Sequence, residues 1–514
     1  MDPKRRVFER GSVAIDGDKI AAVGKDVKEK ADTVIDARGK VVLPGLVNAH
    51  THLPMTLLRG VADDMPLKPW LEDEIWPAEA NLTAEHVNTG ALLGCLEMIK
   101  SGTTCFADQY FFMEEVAKAV EESGIRAALS YGIIEKYDPR LRKDEIKKGT
   151  ELIRNYHGAA GGRIITMYGP HAPYTCSEEC LVEVKELAKK YDVGIHIHLS
   201  ETIKGDVEVV EKRYGKKPFI YLEEIGFLGP EILAAHCVHL TDEEIKLVKK
   251  NDVKIAHNPV SNMKLASGIA PVAKYLKDGI VVAIGTDGCA SNNNLDMFEE
   301  MKVCSLVHKI RESDPTVVNA GEVLAMATIG GARALRWDKE IGSIEVGKKA
   351  DLILVDLKKP HLTPVHNVVS NLVYSANGGD VDTVLVDGKI VMRERKVLTL
   401  DEEEILQRAQ EAAGDLINKR KSGGMIERAR AAAEKTIKFT KWCKSNPERC
   451  LLVASAAASL LVNVINLLKV PFGAGVGVSK AISIELEKIH KETGVPINVL
   501  EKALDAACQE AQKK

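Results

Sequence analysis

Two histidines, His50 and His52, follow an apolar run in the stretch VLPGLVNAHTHLPMTLLRG, residues 42–60. Side chains at positions i and i+2 of a β-strand point to the same face, about 6–7 Å apart. A single divalent metal ion can bridge two imidazoles at that separation. An isolated pair of this kind is more typical of hydrogen-bonded core histidines, so the pair alone leaves both interpretations open.

Three later apolar runs end in side chains of matching chemistry. GIHIHLSE supplies His198, AAHCVHL supplies His236 and His239, and AIGTDG ends in Asp287. Three histidines and a carboxylate from separate strand ends form a site for a divalent metal ion, most often zinc, although iron and manganese also suit such ligands. With all of these residues present, the sequence favours a metal site over a set of core histidines.

Polar residues near these strand ends are candidates for acid–base chemistry. Glu201, in HLSETIK, lies three residues beyond His198 and could act as a general acid or base toward a substrate. The alternative for Glu201 is a solvated loop position. His236 is expected to accept a proton from a metal-activated water, while Asp287 both binds the metal and relays the proton.

Other histidines in the same runs are interpreted as structural. His196 faces the same side as His198 but lies one layer deeper, and we interpret His239 and His257 as structural residues too. The run RIITMYGPHAPY contains no lysine, whereas a two-metal version of such a site needs a bridging carboxylated lysine. We therefore expect one metal ion per subunit.

Eight β-rich runs alternate with charged, helix-patterned spacers between about residues 40 and 290. The spacers SEECLVEVKELAKKY and TDEEIKLVKKN repeat apolar residues at three- and four-residue intervals, which is typical of amphipathic helices. This alternation predicts an α/β fold in which eight parallel strands close into a (β/α)8 barrel of the TIM type, with its site at the carboxyl ends of the strands. The eight runs are KVVLPGLVNAH, GTTCFADQY, IRAALSYGII, RIITMYGPHAPY, VGIHIHLS, ILAAHCVHL, VKIAHNPVS and VVAIGTDG.

The regions flanking the barrel have a different pattern. Short alternating strands with Asp-Gly turns, such as GSVAIDGDKIAAVG and VDTVLVDGKIVMRERKVL, are typical of β-hairpins. We predict a small β-sandwich domain assembled from residues 1–43 and 342–400, around a barrel at 44–341. A helix at 401–422 would close this part, and an α-helical C-terminal module would occupy 423–514.

The composition restricts the possible partners. Lys and Arg total 70 against 74 Asp and Glu, and aromatic residues make up 5%, which argues against nucleic acid as a partner. Ten cysteines without a CxxC pair and a charged start without an apolar signal core favour the cytoplasm. The uncharged segment Cys450–Leu468 is long enough to span a bilayer, but its Ala, Ser and Asn content favours a buried helix, so a membrane role is not expected.

Residues 11 to about 400 resemble the amidohydrolase superfamily, and within it the 5-methylthioadenosine/S-adenosylhomocysteine deaminase family. The resemblance implies a zinc enzyme that hydrolytically deaminates adenosine-type nucleosides. Its substrates would be 5'-deoxyadenosine, 5'-methylthioadenosine, S-adenosylhomocysteine or adenosine, and its products the inosine-type nucleoside and ammonia. The phrases that match are PGLVNAHTHLPMTLLRGVADDMPLKPWLEDEIWPAEANLT, GPHAPYTCS, HIHLSET, LAAHCVHLT, AHNPVSNMKLASGIAPV and GTDGCASNNNLDMFEEM.

This resemblance also implies roles for individual residues. The zinc ligands would be His50, His52, His198 and Asp287. The residues that contact the substrate would be Glu79 at the ribose hydroxyls, His171 near the purine or ribose, Arg142 in the preceding loop, Glu201 at the purine ring and Asp287. Glu201 would also protonate the ring, and His236 would help to deprotonate the attacking water.

Two other functions remain open. The same site could deaminate guanine or cytosine, or hydrolyse s-triazines, because the fold alone does not fix the substrate. A non-catalytic scaffold on the same fold, with the C-terminal helices as its active part, is the second alternative, although such scaffolds tend to lose metal ligands.

The Ala-, Leu- and Val-rich tail suits helix packing and favours a homo-oligomer.

Overall fold

A computed structural model describes the chain over residues 6–25, 27, 30–65 and 69–418. These residues form two compact units: the larger lies within residues 1–76 and 82–414, and the second includes residues 77–81 and 415–418.

The predicted C-terminal elements fall largely outside the described residues. A helix is present over residues 402–418, where the sequence predicts one at 401–422. The module predicted at 423–514, including the apolar segment at 450–468, lies outside the described part, so its helical nature stays a prediction.

Fifteen strands form three sheets in the described residues. The strands are β1 (Ser12–Asp16), β2 (Lys19–Gly24), β3 (Lys40–Pro44), β4 (Leu46–Thr51), β5 (Thr103–Tyr110), β6 (Arg126–Ile133), β7 (Ile164–Pro170), β8 (Gly194–Leu199), β9 (Ile232–His236), β10 (Lys254–His257), β11 (Val282–Ile284), β12 (Leu352–Asp356), β13 (Val381–Val386), β14 (Lys389–Arg393) and β15 (Lys396–Val397).

The eight strands β4 to β11 form one parallel sheet in sequence order, and each predicted run supplies one strand. All eight residues of β5 and all eight of β6 are buried. Burial on both faces explains why these runs do not alternate apolar and polar residues, as expected when helices cover a parallel sheet. The predicted fold class is therefore confirmed for this part of the chain.

Hydrogen bonds join the first and last strands of this sheet at the predicted ligands His50 and Asp287 and at the residues just before them. The Asp287 N–H donates to the His50 carbonyl at 2.9 Å. One layer below, the Asn48 amide nitrogen donates to the Thr286 hydroxyl at 2.8 Å, and the Thr286 N–H donates to Asn48 Oδ1 at 3.0 Å. Closing the barrel therefore also brings a histidine and an aspartate to the same place.

Helices connect the strands, and their starts follow ordinary capping chemistry. The spacer TDEEIKLVKKN forms the helix Asp242–Lys250, where the Thr241 hydroxyl and the Glu244 side chain satisfy each other's backbone N–H groups. The main α-helices are Trp76–Glu79, Ala84–Lys100, Met113–Ser123, Pro139–Tyr156, Glu178–Tyr191, Glu208–Tyr214, Pro218–Glu224, Asp242–Lys250, Pro259–Lys264, Val272–Lys277, Cys289–Asn292, Met297–Glu312, Ala320–Ala325, Gly331–Ala334 and Val368–Tyr374.

The second sheet is antiparallel and draws strands from both flanks of the barrel, in the order β15, β14, β13, β12, β3. The hairpin β1–β2 joins it through hydrogen bonds such as Ile20 N–H to the Lys348 carbonyl, 2.8 Å. Ile20, Leu352 and Leu385 form a buried cluster between hairpin and sheet. An additional β-structure built from both flanks was predicted and is confirmed, while the boundaries at 43 and 342 stay predictions.

No helix among the described residues is both long and apolar enough to cross a membrane.

A buried ion pair joins the amino-terminal end of a barrel strand to the second sheet. Arg126, the first residue of β6, is fully buried, and its Nε donates to Asp351 Oδ2 at 2.8 Å. Its Nη2 donates to Asp351 Oδ1 at 3.2 Å and also to Asp387. The guanidinium lies over the Trp337 ring at 5.0 Å. This contact fixes the β-structure at the end of the barrel opposite the predicted site.

We expect Arg126→Ala to lower the free energy of unfolding by about 3–5 kcal/mol, because the change removes the guanidinium that pairs with the buried Asp351 and the partly buried Asp387. Denaturant unfolding measures the loss. Arg336→Ala is the matched control, because Arg336 pairs with Asp192 at 3.0 Å on the surface and should change stability by less than about 1 kcal/mol. Equal losses in the two variants would contradict the role of Arg126.

Candidate metal centre

The predicted ligands lie together at the carboxyl ends of three barrel strands. His50 is in β4 and His52 follows it, His198 is in β8, and Asp287 lies three residues beyond β11. Their side-chain atoms converge: Asp287 Oδ1 is 3.4 Å from His50 Nε2 and 3.3 Å from His52 Nε2. His52 Nε2 is in turn 3.3 Å from His198 Nε2. Parallel strands end at the same edge of the sheet, and this brings together residues far apart in the sequence.

Each of the three imidazoles is anchored on its outer side through Nδ1. His52 Nδ1–H donates to the Gln109 carbonyl at 2.6 Å, and His198 Nδ1–H donates to the His171 carbonyl at 2.8 Å. These bonds place the proton on Nδ1 and leave the Nε2 lone pair facing the centre.

His50 is anchored by a second histidine. Its Nδ1–H donates to His196 Nε2 at 2.7 Å, and His196 Nδ1–H points to the Ser130 hydroxyl at 3.3 Å. Ser130 donates onward to the Asp108 carbonyl at 2.6 Å. The interpretation of His196 as a supporting histidine below the ligands agrees with this arrangement.

The environment keeps the ligand side chains in the protonation states that metal binding requires. Burial lowers the pKa of His50 to about 4 and that of His198 well below its usual range, so both rings are neutral near pH 7. Burial by itself raises the pKa of Asp287, but the surrounding imidazoles outweigh it and hold the pKa well below normal. Neutral imidazoles and an ionised carboxylate are the forms that bind divalent metals.

Two serine hydroxyls bind the same carboxylate oxygen of Asp287. Oδ2 accepts hydrogen bonds from Ser261 Oγ at 2.6 Å and Ser291 Oγ at 2.9 Å. Oδ1 is left to face the imidazoles. The carboxylate is therefore held with one oxygen committed to the protein and the other directed to the centre.

This arrangement fits a divalent cation. The buried His50 Nε2 has no hydrogen-bond partner among the described residues, although it lies 3.4 Å from a carboxylate oxygen. Unprotonated nitrogens and a carboxylate facing one another in a buried space repel unless a positive charge lies between them. Three imidazoles and one carboxylate are borderline-to-hard ligands that suit zinc, and also iron or manganese.

A carboxyl–imidazole pair faces the same space. Glu201 Oε2 lies 3.8 Å from His236 Nε2, and Ser267 Oγ donates to Glu201 Oε1 at 3.3 Å. His236 Nδ1–H donates to Asn262 Oδ1 at 2.9 Å, which leaves its Nε2 toward the centre. The ligand atoms of His236, His198 and His50 all lie within 4.8 Å of one another.

Both members of this pair have shifted pKa values. Burial raises the pKa of Glu201, although the charge of His236 acts in the opposite direction. Burial would lower the pKa of His236, but the carboxylates of Glu201 and Asp287 outweigh it and raise the pKa. A buried carboxyl and a nearby imidazole with shifted pKa values are candidates for acid–base chemistry.

The backbone is left-handed at three residues of the site, which is unusual for residues other than glycine. The φ angles are 52° at Ser200, 71° at His236 and 63° at Asp287. Each of these residues lies where a barrel strand ends. Such conformations persist only where surrounding contacts hold them, and they turn side chains into directions that a regular strand does not reach.

The structure brings His171 into the centre but not every predicted substrate-contacting residue. The His171 ring centroid lies 4.8 Å from that of His198, and its Nδ1 lies 2.9 Å from Thr175 Oγ1. Arg142 forms an ion pair with Glu179 at 3.4 Å. Glu79 belongs to the second compact unit. The roles of Arg142 and Glu79 stay predictions.

Several residues that support the ligands were not predicted from the sequence, although some of them lie close to predicted site residues or strand ends. Ser291 lies four residues after Asp287, and Ser261 and Asn262 follow the end of β10 in AHNPVSN. Gln109, at the end of β5, holds His52 through its backbone carbonyl and could not be recognised, because a carbonyl has no residue-type signature.

The two remaining histidines have structural partners. His239 Nε2–H donates to the Ser267 carbonyl at 2.6 Å. His257 Nε2 lies 3.0 Å from His308 Nε2, close to the buried Cys304. The structural interpretation of both residues stays a prediction, and His257, Cys304 and His308 together have ligand atoms close enough to hold a metal ion.

An eight-stranded parallel barrel with a buried set of metal-ligating side chains and an adjacent acid–base pair defines a class of barrel hydrolases that use a metal ion. Residues 41–391 match the sequence profile of the Amidohydrolase family. The chain belongs to this family.

Several known proteins resemble the chain over most of its length. It is 55% identical over 417 residues to 5'-deoxyadenosine deaminase of Methanosarcina mazei, covering 81% of this chain and 96% of that protein. It is 50% identical over 420 residues to 5-methylthioadenosine/S-adenosylhomocysteine deaminase of Thermoanaerobacter pseudethanolicus, covering 82% and 97%. The crystal structure of an adenosine deaminase from Xanthomonas campestris with bound zinc superposes with a TM-score of 0.78 at 37% identity, covering 80% and 95%.

Removing both hydroxyls that hold Asp287 tests the metal interpretation. We expect Ser261→Ala/Ser291→Ala to bind zinc about 10- to 100-fold more weakly, because Asp287 loses the contacts that orient it. Competition with a chromophoric chelator measures the affinity. Ser305→Ala is the control, since its buried hydroxyl donates to the Val318 carbonyl at 2.8 Å, apart from the ligand set. An unchanged zinc affinity in the double variant would contradict this role.

Proposed function

We propose that the protein catalyses zinc-dependent hydrolytic deamination of adenosine-type nucleosides, which include 5'-deoxyadenosine, 5'-methylthioadenosine, S-adenosylhomocysteine and adenosine. The products are the inosine-type nucleoside and ammonia. The observation that carries the proposal is the placement of the Glu201–His236 pair, 3.8 Å apart, beside the converging ligand atoms. The deaminase activities named for proteins 50–55% identical to the chain support it.

Four side chains would hold one zinc ion: His50, His52, His198 and Asp287. When bound, zinc lowers the pKa of a coordinated water from about 16 to about 7 and so supplies a nucleophile at neutral pH. The Nδ1 anchors and the two serines keep the ligands oriented, so little reorganisation is needed when the ion binds.

Glu201 supplies the acid in this proposal. Its carboxyl is buried and its pKa is raised, so it keeps a proton at higher pH than an exposed glutamate does. Facing the purine, it would donate that proton to the ring nitrogen next to C6, and negative charge would not accumulate on the ring as C6 is attacked.

His236 and Asp287 handle the proton of the incoming water. With its Nδ1 proton committed to Asn262, His236 presents an unprotonated Nε2 that can accept this proton. Asp287 Oδ1, the oxygen without serine contacts, would pass a proton toward the leaving amine. A C–O bond forms at C6, the C–N bond breaks, and the nitrogen leaves as ammonia.

Substrate contacts outside the reacting atoms are proposed from the family resemblance. His171 would lie near the purine or ribose, and its partly buried position against His198 supports this placement. Glu79 would hydrogen-bond the ribose hydroxyls, and Arg142 would contact the substrate from the start of the helix Pro139–Tyr156.

We also propose a homo-oligomer that acts in the cytoplasm on a small molecule rather than on nucleic acid. The seven cysteines among the described residues are all free and buried, which suits a reducing compartment. Leu306 and Ile310 are exposed one turn apart on the helix Met297–Glu312 and offer an apolar surface for self-association. Light scattering that gave the mass of a single chain would contradict the oligomer.

Glu201→Gln tests the chemistry. We expect kcat to fall by about 10²–10⁴-fold while zinc content is unchanged, because glutamine keeps the shape of the side chain but cannot donate the acidic proton. The loss of adenine absorbance on conversion to hypoxanthine measures the rate. Glu244→Gln is the control, because this buried glutamate caps the helix Asp242–Lys250 and should leave kcat within threefold. Full activity of Glu201→Gln would contradict the proposed acid.

A panel of substrates tests the proposed class. We expect turnover of the four nucleosides and much slower turnover of adenine, guanine, cytosine and s-triazines. Equal activity on adenine and on the nucleosides would contradict a ribose-dependent enzyme. Absence of a bound divalent ion after purification and reconstitution would instead favour the non-catalytic scaffold.

A further inference from the structure

The residue that carries the proposed acid follows a sharp turn in the backbone. Ser200, the first residue after β8, has a φ of 52°, in the left-handed region that residues other than glycine rarely adopt. Its hydroxyl is buried without a hydrogen-bond partner among the described residues, so its side chain does not stabilise the turn. The direction of Glu201 depends on what holds the turn in place.

Backbone contacts fix the turn on one side only. The Val238 and His239 N–H groups, both just beyond β9, donate to the Ser200 carbonyl at 3.0 Å each. These bonds link the turn to the loop that follows His236. They do not satisfy the N–H of Glu201, which points the other way.

Asp206 fixes the other side. Asp206 Oδ2 accepts the Glu201 N–H at 2.9 Å. The loop returns to this position through the π-helical turn Ile203–Val207, whose start is capped by the Thr202 hydroxyl, which accepts the Gly205 N–H at 3.2 Å. Turns of this type are rare and are often found at functional sites.

The environment of Asp206 indicates that stability alone does not explain this residue. The side chain is 2% exposed, and Oδ1 has no hydrogen-bond partner among the described residues. Burial raises the pKa of Asp206 to about 7, which is the direction expected when a carboxyl lies among few donors. Burying a carboxyl with one oxygen that lacks a hydrogen bond is unfavourable for stability. The hydrogen bond that Asp206 does make, to the Glu201 N–H, therefore indicates a functional role.

We propose that Asp206 is a positioning residue: by holding the Glu201 amide across the left-handed turn, it directs the Glu201 carboxyl toward His236 and the substrate. This inference rests on the proposed function of Glu201. Among the described residues, the carboxyl of Glu201 is contacted by Ser267 at 3.3 Å and His236 at 3.8 Å. Both distances are long for hydrogen bonds, so these two side chains hold the Glu201 carboxyl only weakly. Its position therefore depends on the backbone of the turn.

Hydrogen exchange tests the tether without any assay of activity. Zinc-loaded Asp206→Ala should exchange the amide protons of the segment 200–202 at least tenfold faster than the unmodified protein. Asp206→Asn should retain slow exchange, because its carbonyl oxygen still accepts the Glu201 N–H. Asp296→Ala is the matched control: this partly buried carboxylate also accepts backbone N–H groups, from Phe298 and Gly378, and its removal should leave the segment unchanged.

Kinetics test the consequence for the reaction. We expect Asp206→Ala to lower kcat at least 20-fold with KM changed by less than threefold, and Asp206→Asn to stay within threefold of the unmodified enzyme. If the alanine variant does not fold, Asp206→Ser takes its place, since its hydroxyl is too short to reach the amide. Adding Ser200→Gly to Asp206→Ala should restore at least fivefold in kcat, because glycine adopts the turn without strain.

Three results would overturn the proposal. The first is unchanged exchange or unchanged kcat in Asp206→Ala. The second is an asparagine variant as impaired as the alanine variant, because the charge rather than the tether would then matter. The third is a double variant no faster than Asp206→Ala. An unmodified enzyme that deaminates no nucleoside would instead contradict the proposed function, and the exchange data would still decide whether Asp206 holds the turn.

Discussion

Mutual repulsion among buried lone pairs is the constraint on which the rest of this structure depends. Asp287 Oδ1 and the Nε2 atoms of His50 and His52 face one another at 3.3–3.4 Å, and these side chains are largely buried. Such a set is stable only with a cation at its centre, or with surroundings rigid enough to hold the atoms together without one. The surrounding residues supply that rigidity: carbonyls and His196 bind the outer nitrogens, and serine hydroxyls bind the second oxygen of Asp287.

The barrel meets this requirement because its closure and its site share the same contacts. The hydrogen bond from the Asp287 N–H to the His50 carbonyl joins the last strand to the first and also sets the distance between two ligands. At the opposite end, the buried Arg126 binds the sheet made from both flanks of the chain. This ion pair stabilises the amino-terminal end of the strands. The carboxyl ends can hold the strained, polar arrangement that chemistry requires.

Acid–base residues and metal ligands are held by different means. The candidate ligands His50, His52 and His198 have their Nδ1 protons fixed by hydrogen bonds, whereas Glu201 and His236 form a carboxyl–imidazole pair. Burial raises the pKa of Glu201, and the nearby carboxylates raise the pKa of His236. Left-handed residues lie at the strand ends beside this pair and at Asp287, and Asp206 accepts the Glu201 N–H at one of these turns.

The eight-stranded barrel, the flanking sheet and the candidate ligand positions could be predicted from the sequence, because strand periodicity and the HxH, His and Asp positions at strand ends are local patterns. The residues that hold those side chains could not be predicted. Gln109 acts through a backbone carbonyl, Ser261 lies 26 residues from Asp287 in the sequence, and Asp206 reaches the Glu201 amide only through the turn between them. Tertiary structure decided these roles, because hydrogen bonds between loops depend on the relative placement of strands and on left-handed turns that residue type does not reveal.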